Sequence, residues 1–397
     1  MSGGGSFGPR VTTAVPLPDE STVLLTRPTA EEAQLTAEGV AAAAADPGGL
    51  TEVQRMLLEA LFPAMTEHEI DVDAFRHVTP EEFARVLARR NLAFRARGVQ
   101  LMLLCALVLR PLPPEVVDRI AEFARALSVD DGMIDVARRF ADGALGLAAI
   151  DFERNGYTAA WHADDAASLH TSHELAGAWE LAVADEELAQ RWEALGDLPD
   201  GTLGRRVWQL YRARGFEFPG RPGSAPPLLA QHDWVHVLAD YGTTVECELE
   251  VFAFIARAND DMRAFSLLAM VVSLFETGYL SRGAGLFESD LGHLSSSASV
   301  PVRMSDAMRR GALCSDCEAE GDSVDFLRID WFELAPLSVD AVRSRFHVVT
   351  KSDAAVEAGS TGPCEPGGIS PFQRDAGATL AERQGRPYES YGASVAP

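Results

Sequence analysis

The stretch His232-Asp233-Trp234-Val235-His236, followed by Glu248, constrains this chain more than any other part of it. As a pattern it reads H-D-x-x-H-x11-E. Successive residues of an α-helix turn by about 100°, so His236 falls roughly 40° from His232, and Asp233 roughly 100°. Two imidazoles and a carboxylate on one arc are donors that a divalent cation takes. Glu248 cannot join them by continuing the helix, which would carry it about 18 Å along the axis. Asp240-Tyr241-Gly242-Thr243-Thr244 offers the break: the glycine ends one helix and Thr244 caps the next. A helical hairpin then folds Glu248 back onto the histidines. Glu246 and Glu250 ride on the same new helix as candidates to support the ligands from behind. Two neutral imidazoles and two carboxylates cancel the charge of a divalent ion.

Composition narrows the partners. The formal charge of the 397 residues is −25, with no basic stripe to replace the counterions of a nucleic acid. Docking on anionic lipid by charge alone is disfavoured for the same reason, which leaves apolar, peripheral contact with a membrane. Lys351 is the one lysine, which excludes Schiff-base chemistry in the body of the protein. Five scattered cysteines make no disulfide framework. The start Met1-Ser2-Gly3-Gly4-Gly5 is not a signal peptide, and the longest apolar runs are about half of the ~20 residues that a bilayer crossing needs. A cytoplasmic protein is expected, at most peripheral to the inner membrane.

The apolar spacing is helical throughout, without βαβ alternation or a Gly-rich phosphate loop. An all-α chain of two helical bundles follows. Residues 1–28 read as a disordered lead and 29–150 as an N-terminal helical domain. Residues 151–350 read as a second domain carrying the metal pattern, and 351–397, rich in Gly, Ser, Pro and Ala, as a disordered tail. Thr79-Pro80-Glu81-Glu82 predicts a capped helix start. Val99 to Leu109 predicts the centre of a bundle. The short helices and acidic turns of the first part faintly resemble the helical TerB-like domains.

A more specific resemblance rests on three features together. They are the turn Leu198-Pro199-Asp200-Gly201-Thr202-Leu203-Gly204, the H-D-x-x-H-x11-E pattern, and Trp331-Phe332-Glu333 with Arg343. Over about residues 160–350 the chain resembles the coenzyme Q (ubiquinone) biosynthesis protein four family. It differs from that family in the short segment Arg221 to Gln231 and in Asp260-Asp261-Met262-Arg263. The resemblance implies an all-helical, metal-binding protein with His232, Asp233, His236 and Glu248 as ligands. It implies zinc, with iron as the alternative, and Phe265 to Leu280 as the segment lining a lipid groove. The implied partner is a prenylated quinone precursor or another lipid, alongside other biosynthetic enzymes, and a homo-oligomer is expected. The implied activity is oxidative decarboxylation of a prenylated aromatic acid, or organisation of a biosynthetic complex. A non-catalytic lipid-binding or scaffold protein with a structural metal is the competing class, and a related metalloenzyme of another pathway is the third.

Other features read as less informative. His232-Asp233 also occurs in HD-type phosphohydrolases, for which His170, His173 and Asp290 would have to serve as further ligands. Cys314 and Cys317 read as incidental thiols ahead of a zinc or redox pair. Arg303, Arg309 and Arg310 read as a solvated helix face that could alternatively meet a carboxylate or a headgroup. By its own pattern Phe265 to Leu280 is core.

Overall fold

The computed structural model describes residues 27–143, 185–278, 291–318 and 323–395, apart from the single positions 88, 223, 226 and 262. Among them are sixteen α-helices and no strand, so the described chain is all-α. Helices α1 (Ala30–Ala44) and α2 (Glu52–Thr66) each start at a threonine in a complete capping box. Helix α3 (Pro80–Leu87) starts as its sequence predicts: the Glu82 N–H donates to Thr79 Oγ1 at 3.3 Å and the Thr79 N–H to Glu82 Oε2 at 3.2 Å. Each cap of this kind contributes about 1 kcal/mol.

Helix α4 (Leu92–Ala106) is the axis of the first part, with residues 99–109 all buried. Helices α1, α5 (Pro114–Ala126) and α6 (Met133–Ala141) pack around it. The second part runs through α7 (Glu186–Ala194), α8 (Leu203–Arg214), α9 (Pro227–Ala239) and α10 (Val245–Ala258). It continues with α11 (Ala264–Thr277), α12 (Ser299–Ala312), α13 (Trp331–Leu334) and α14 (Val339–Arg345).

The sequence reading separates two bundles near residue 150; the described helices instead share one apolar core. Helix α11 packs on α4 as well as on α10, and α12 packs on both α10 and α2. Polar ties cross the same junction. Arg97 Nη2 donates to the carbonyls of Asn259 (2.7 Å) and Asp261 (2.9 Å), and Arg110 Nη1 to that of Thr277 (2.8 Å). The physical reason lies in α4: a helix apolar on every side needs neighbours on every side. The N-terminal helices alone do not supply them.

Helices α10 and α12 approach so closely that a Cβ on Gly311 would stand 2.3 Å from the Phe254 carbonyl oxygen. Gly311→Ala must push the helices apart, and we expect it to lower stability by about 2–3 kcal/mol in denaturant unfolding. Unchanged stability would contradict this packing.

The C-terminal segment departs most from its sequence reading. Residues 351–395 are not a loose tail but carry α15 (Asp353–Glu357) and α16 (Pro371–Arg383), the latter with a Ser370–Gln373 capping box. Helix α16 lies on α8 so closely that a Cβ on Gly377 would stand 2.1 Å from the Ala213 carbonyl oxygen. The small residues that look like disorder in composition permit this backbone-to-backbone contact. No helix among the described residues is long and apolar enough to cross a membrane.

Candidate metal centre

Helix α9 carries His232, Asp233 and His236, and each is buried. Its opposite side holds Trp234, which stacks on Trp331 (centroids 6.0 Å, planes 6° apart) and meets Trp192 at 5.4 Å. That aromatic layer fixes the rotation of the helix and turns the polar arc toward α10. The C-terminal end of α9 is held by three cations, as the dipole of a helix favours. Arg343 Nε donates to Leu238 O (2.8 Å), Arg310 Nη2 to Ala239 O (2.8 Å) and Lys351 Nζ to Asp240 O (2.6 Å).

The break between α9 and α10 lies where the sequence places it, by a different device. Asp240, not the glycine, takes the left-handed conformation (φ 65°). Gly242 is needed for proximity: a Cβ there would come within 2.7 Å of Gly368 Cα. Thr244 occupies the N-cap of α10, but its hydroxyl donates to Cys247 Sγ. The C-terminal segment clamps this turn. Gly242 N–H donates to Thr361 O, Thr243 N–H to Gly368 O, and Gln373 Nε2 to Thr243 O. Buried Arg214 joins the two sides, giving Nε to Thr243 Oγ1 and Nη2 to the carbonyls of Pro363 (2.8 Å) and Gly368 (2.7 Å).

The turn brings Glu248 to the histidines. Its Oε2 lies 3.2 Å from His232 Nε2 and its Oε1 lies 3.3 Å from His236 Nε2. Asp233 Oδ1 lies 3.5 Å from His232 Nε2. Donor atoms of His232, Asp233 and His236 all fall within 4.8 Å of one another, as a metal site requires. Zinc bonds of about 2.0–2.1 Å to nitrogen and oxygen imply tetrahedron edges of roughly 3.3–3.4 Å; the group of three has donor atoms within 4.8 Å, and Glu248 reaches the two imidazoles with one oxygen each.

Several neighbours hold the donors in place. Tyr211 OH donates to Asp233 Oδ2 at 2.6 Å, an orienting contact of the kind that metal-binding carboxylates have. Burial, and then the charge of Asp233, raise the Tyr211 phenol well above its ordinary value, so it stays protonated and can donate. His232 Nδ1 contacts the Leu229 carbonyl, which sets Nδ1 as the protonated nitrogen and leaves Nε2 to face the cluster. Phe252, one turn beyond Glu248, covers the His232 ring at 5.1 Å. The fully buried His236 has Glu248 Oε1 3.3 Å from Nε2 but no well-aligned hydrogen bond at either ring nitrogen. A buried imidazole in that condition is costly unless something else accepts its lone pair.

Without a cation the His232 imidazole takes up a proton. Burial would depress His232, but Asp233 and then Glu248 outweigh it and lift it to about 9. Burial pushes the Asp233 carboxyl up, against the pull of His232 and His236. Burial would raise Glu248 too, but the His236 and His232 imidazoles hold it far below the carboxylate range. At neutral pH a metal must therefore displace the proton of His232. Apparent affinity should rise about tenfold per pH unit between roughly pH 6 and 8, read by competition with a chelator. A flat profile would remove His232 from the ligand set.

The other sequence candidates separate from this site. Glu246 and Glu250 sit on the far side of α10. Glu246 pairs with His293 at 3.2 Å, and Glu250 with buried Arg303 at 2.6 Å, so neither supports the ligands. Arg303 and Arg310 are buried structural cations and not a solvated face, whereas Arg309 is exposed. Cys314 is buried, its thiol pushed up to about 12 by desolvation, and Cys317 is exposed. Helix α11 is core. His170, His173 and Asp290 lie outside the described residues. Tyr211 and the C-terminal clamp have no sequence motif; only the buried pairing reveals them. In comparisons with known proteins, the chain matches no family model, no curated protein and no solved structure. What the site can do rests on its own geometry.

Proposed function

We propose that the chain is a metal protein that holds one divalent cation between α9 and α10 through His232, Asp233, His236 and Glu248. The observation that carries this reading is the buried cluster of His232, Asp233 and His236, whose donor atoms lie within 4.8 Å of one another, with Glu248 3.2 and 3.3 Å from the two imidazoles. Two nitrogens and two oxygens suit zinc; iron is the alternative where a coordination position stays open. Such an ion supplies charge neutralisation and, toward a bound oxygen, Lewis acidity. The chain's own residues orient the donors through Tyr211 and Leu229 and exclude water with Phe252 and the Trp234 layer.

The finer reading is that the protein holds or acts on a prenylated quinone precursor, as the resemblance to the ubiquinone-biosynthesis family suggests. Support comes from how the residues of that resemblance are used. Leu203 and Gly204 N–H donate to Leu337 and Ala335 carbonyls, Trp331 stacks on Trp234, and Arg343 caps α9. All of them brace the helix that bears the donors. Between turnover and holding, two facts favour holding. His232, Asp233, His236 and Glu248 are all buried, as ligands of structural sites are. Helix α11, the segment the resemblance assigns to a lipid groove, is packed between α4 and α10. The test mixes zinc- or iron-loaded protein with a prenylated aromatic acid in micelles. Retention of the acid near one per chain without release of carbon dioxide is expected. Multiple turnovers of decarboxylation would overturn the holding reading, and no retention would remove the prenylated ligand.

A further inference from the structure

We propose that a cavity at the other end of α10 is a binding site for a small monocarboxylate with an apolar body. Arg257 lies nine residues beyond Glu248, roughly 13 Å along the helix axis, so this cavity is separate from the metal centre. It has a volume of about 230 Å³ and lies where α2, α4, α10 and α11 meet. Its apolar wall includes Phe62, Met65, Phe94 and Phe265, and its cationic wall is Arg97 and Arg257.

Arg97 is 5 % exposed. Its Nη2 is engaged by two backbone carbonyls, but its Nε and Nη1 have no hydrogen-bond partner, and the guanidinium lies 4.5 Å from the Phe265 ring centre. Burial and then the like charge of Arg257 push it down to about 9, so it remains a cation at neutral pH. Arg257 is lowered by burial as well. Asp260 and Asp261 act on Arg97 through space, yet neither carboxylate pairs with it, and Asp261 Oδ1 accepts the Arg263 N–H. Arg27 also lines the cavity, but Glu67 pairs with it at 2.5 Å and offsets its charge.

A buried guanidinium with unfilled donors beside an apolar hollow calls for an anion with an apolar body. With Arg27 paired to Glu67 and two donors of one guanidinium, Arg97, left unfilled, the cavity suits a ligand with a single carboxylate. The volume lies below that of drug-sized pockets, which limits the ligand to one medium-length chain or a single ring.

Gly98 is an independent sign. It lines the same cavity, inside a buried helix, where glycine is unfavourable relative to alanine. A Cβ there would meet nothing within 4 Å. No close approach of backbone requires this glycine, and its effect is to keep the hollow open beside Arg97.

Calorimetric titration of the purified full chain with decanoate and with decan-1-ol tests the proposal. One decanoate per chain is expected, with the alcohol at least tenfold weaker. Arg257→Gln should weaken decanoate at least tenfold and leave the alcohol unchanged. Gly98→Leu should fill the hollow and abolish binding of both while the helical circular dichroism is retained. The Gly98 and Arg257 variants are used because Arg97 also holds the 259–261 turn. Failure of decanoate to bind, equal binding of the alcohol, or unchanged binding to Gly98→Leu would each overturn the proposal.

Discussion

Replacing Glu248 by alanine is expected to abolish metal binding and to lower stability by about 3–5 kcal/mol, the loss typical when one partner of a buried ion pair is removed. The reason is that Glu248 is the one carboxylate that meets both imidazoles, at 3.2 and 3.3 Å. Without it, His232 and His236 face Asp233 alone in a largely buried site. Glu246→Ala, two residues away on the other side of the helix, supplies the contrast. Its contact with His293 is partly exposed, so about 1 kcal/mol or less is expected, with metal content unchanged. Urea unfolding of both variants, beside their metal content, separates the two faces of α10. Equal effects would contradict the assignment of Glu248.

Arg214→Leu is expected to be as severe, although it touches no candidate ligand. The guanidinium is fully buried and serves Thr243, Pro363 and Gly368 at once. Its removal strips the Pro363 carbonyl of its hydrogen bond and takes one charge-assisted bond each from Gly368 O and Thr243 Oγ1, which keep the Thr243 N–H and Gln373, so we expect a loss of about 3–5 kcal/mol. Because Thr243 belongs to the turn that delivers Glu248, metal affinity should fall as well, by about tenfold or more. Lysine cannot replace it, since one ammonium does not reach three partners on a planar fork. Thermal unfolding with metal titration reads both effects; a variant of native stability and affinity would show that the C-terminal segment does not set the turn.

What could be read from the sequence, and what could not, follows from the range of the interactions. Helix starts at Thr79 and Thr244, the arc of His232, Asp233 and His236, and the need for a break before Glu248 depend on residues close in sequence. Local periodicity specifies them, with a capping box at Thr79; Thr244 sits at the N-cap position without a capping bond from its side chain. The role of Gly242 was legible only in part, because the proximity it permits is to Gly368, far along the chain. Residues 351–395 read as a tail in composition because Gly, Ser, Pro and Ala look alike in a disordered tail and in a segment whose backbone packs directly on another backbone. Arg303 and Arg310 looked solvated because a charge pattern carries no information about a buried glutamate or a helix end that it meets. Tyr211 carried no signal at all: its partner Asp233 lies on a different helix.

The central claim is the cation between α9 and α10, and elemental analysis of the purified protein beside a His236→Ala variant tests it most directly. About one equivalent of zinc or iron per chain in the wild type, lost in the variant, is the result that the geometry predicts. No metal in the wild type, even after reconstitution with zinc or iron, would contradict it. The four side chains would then be a buried ion-pair cluster and nothing more.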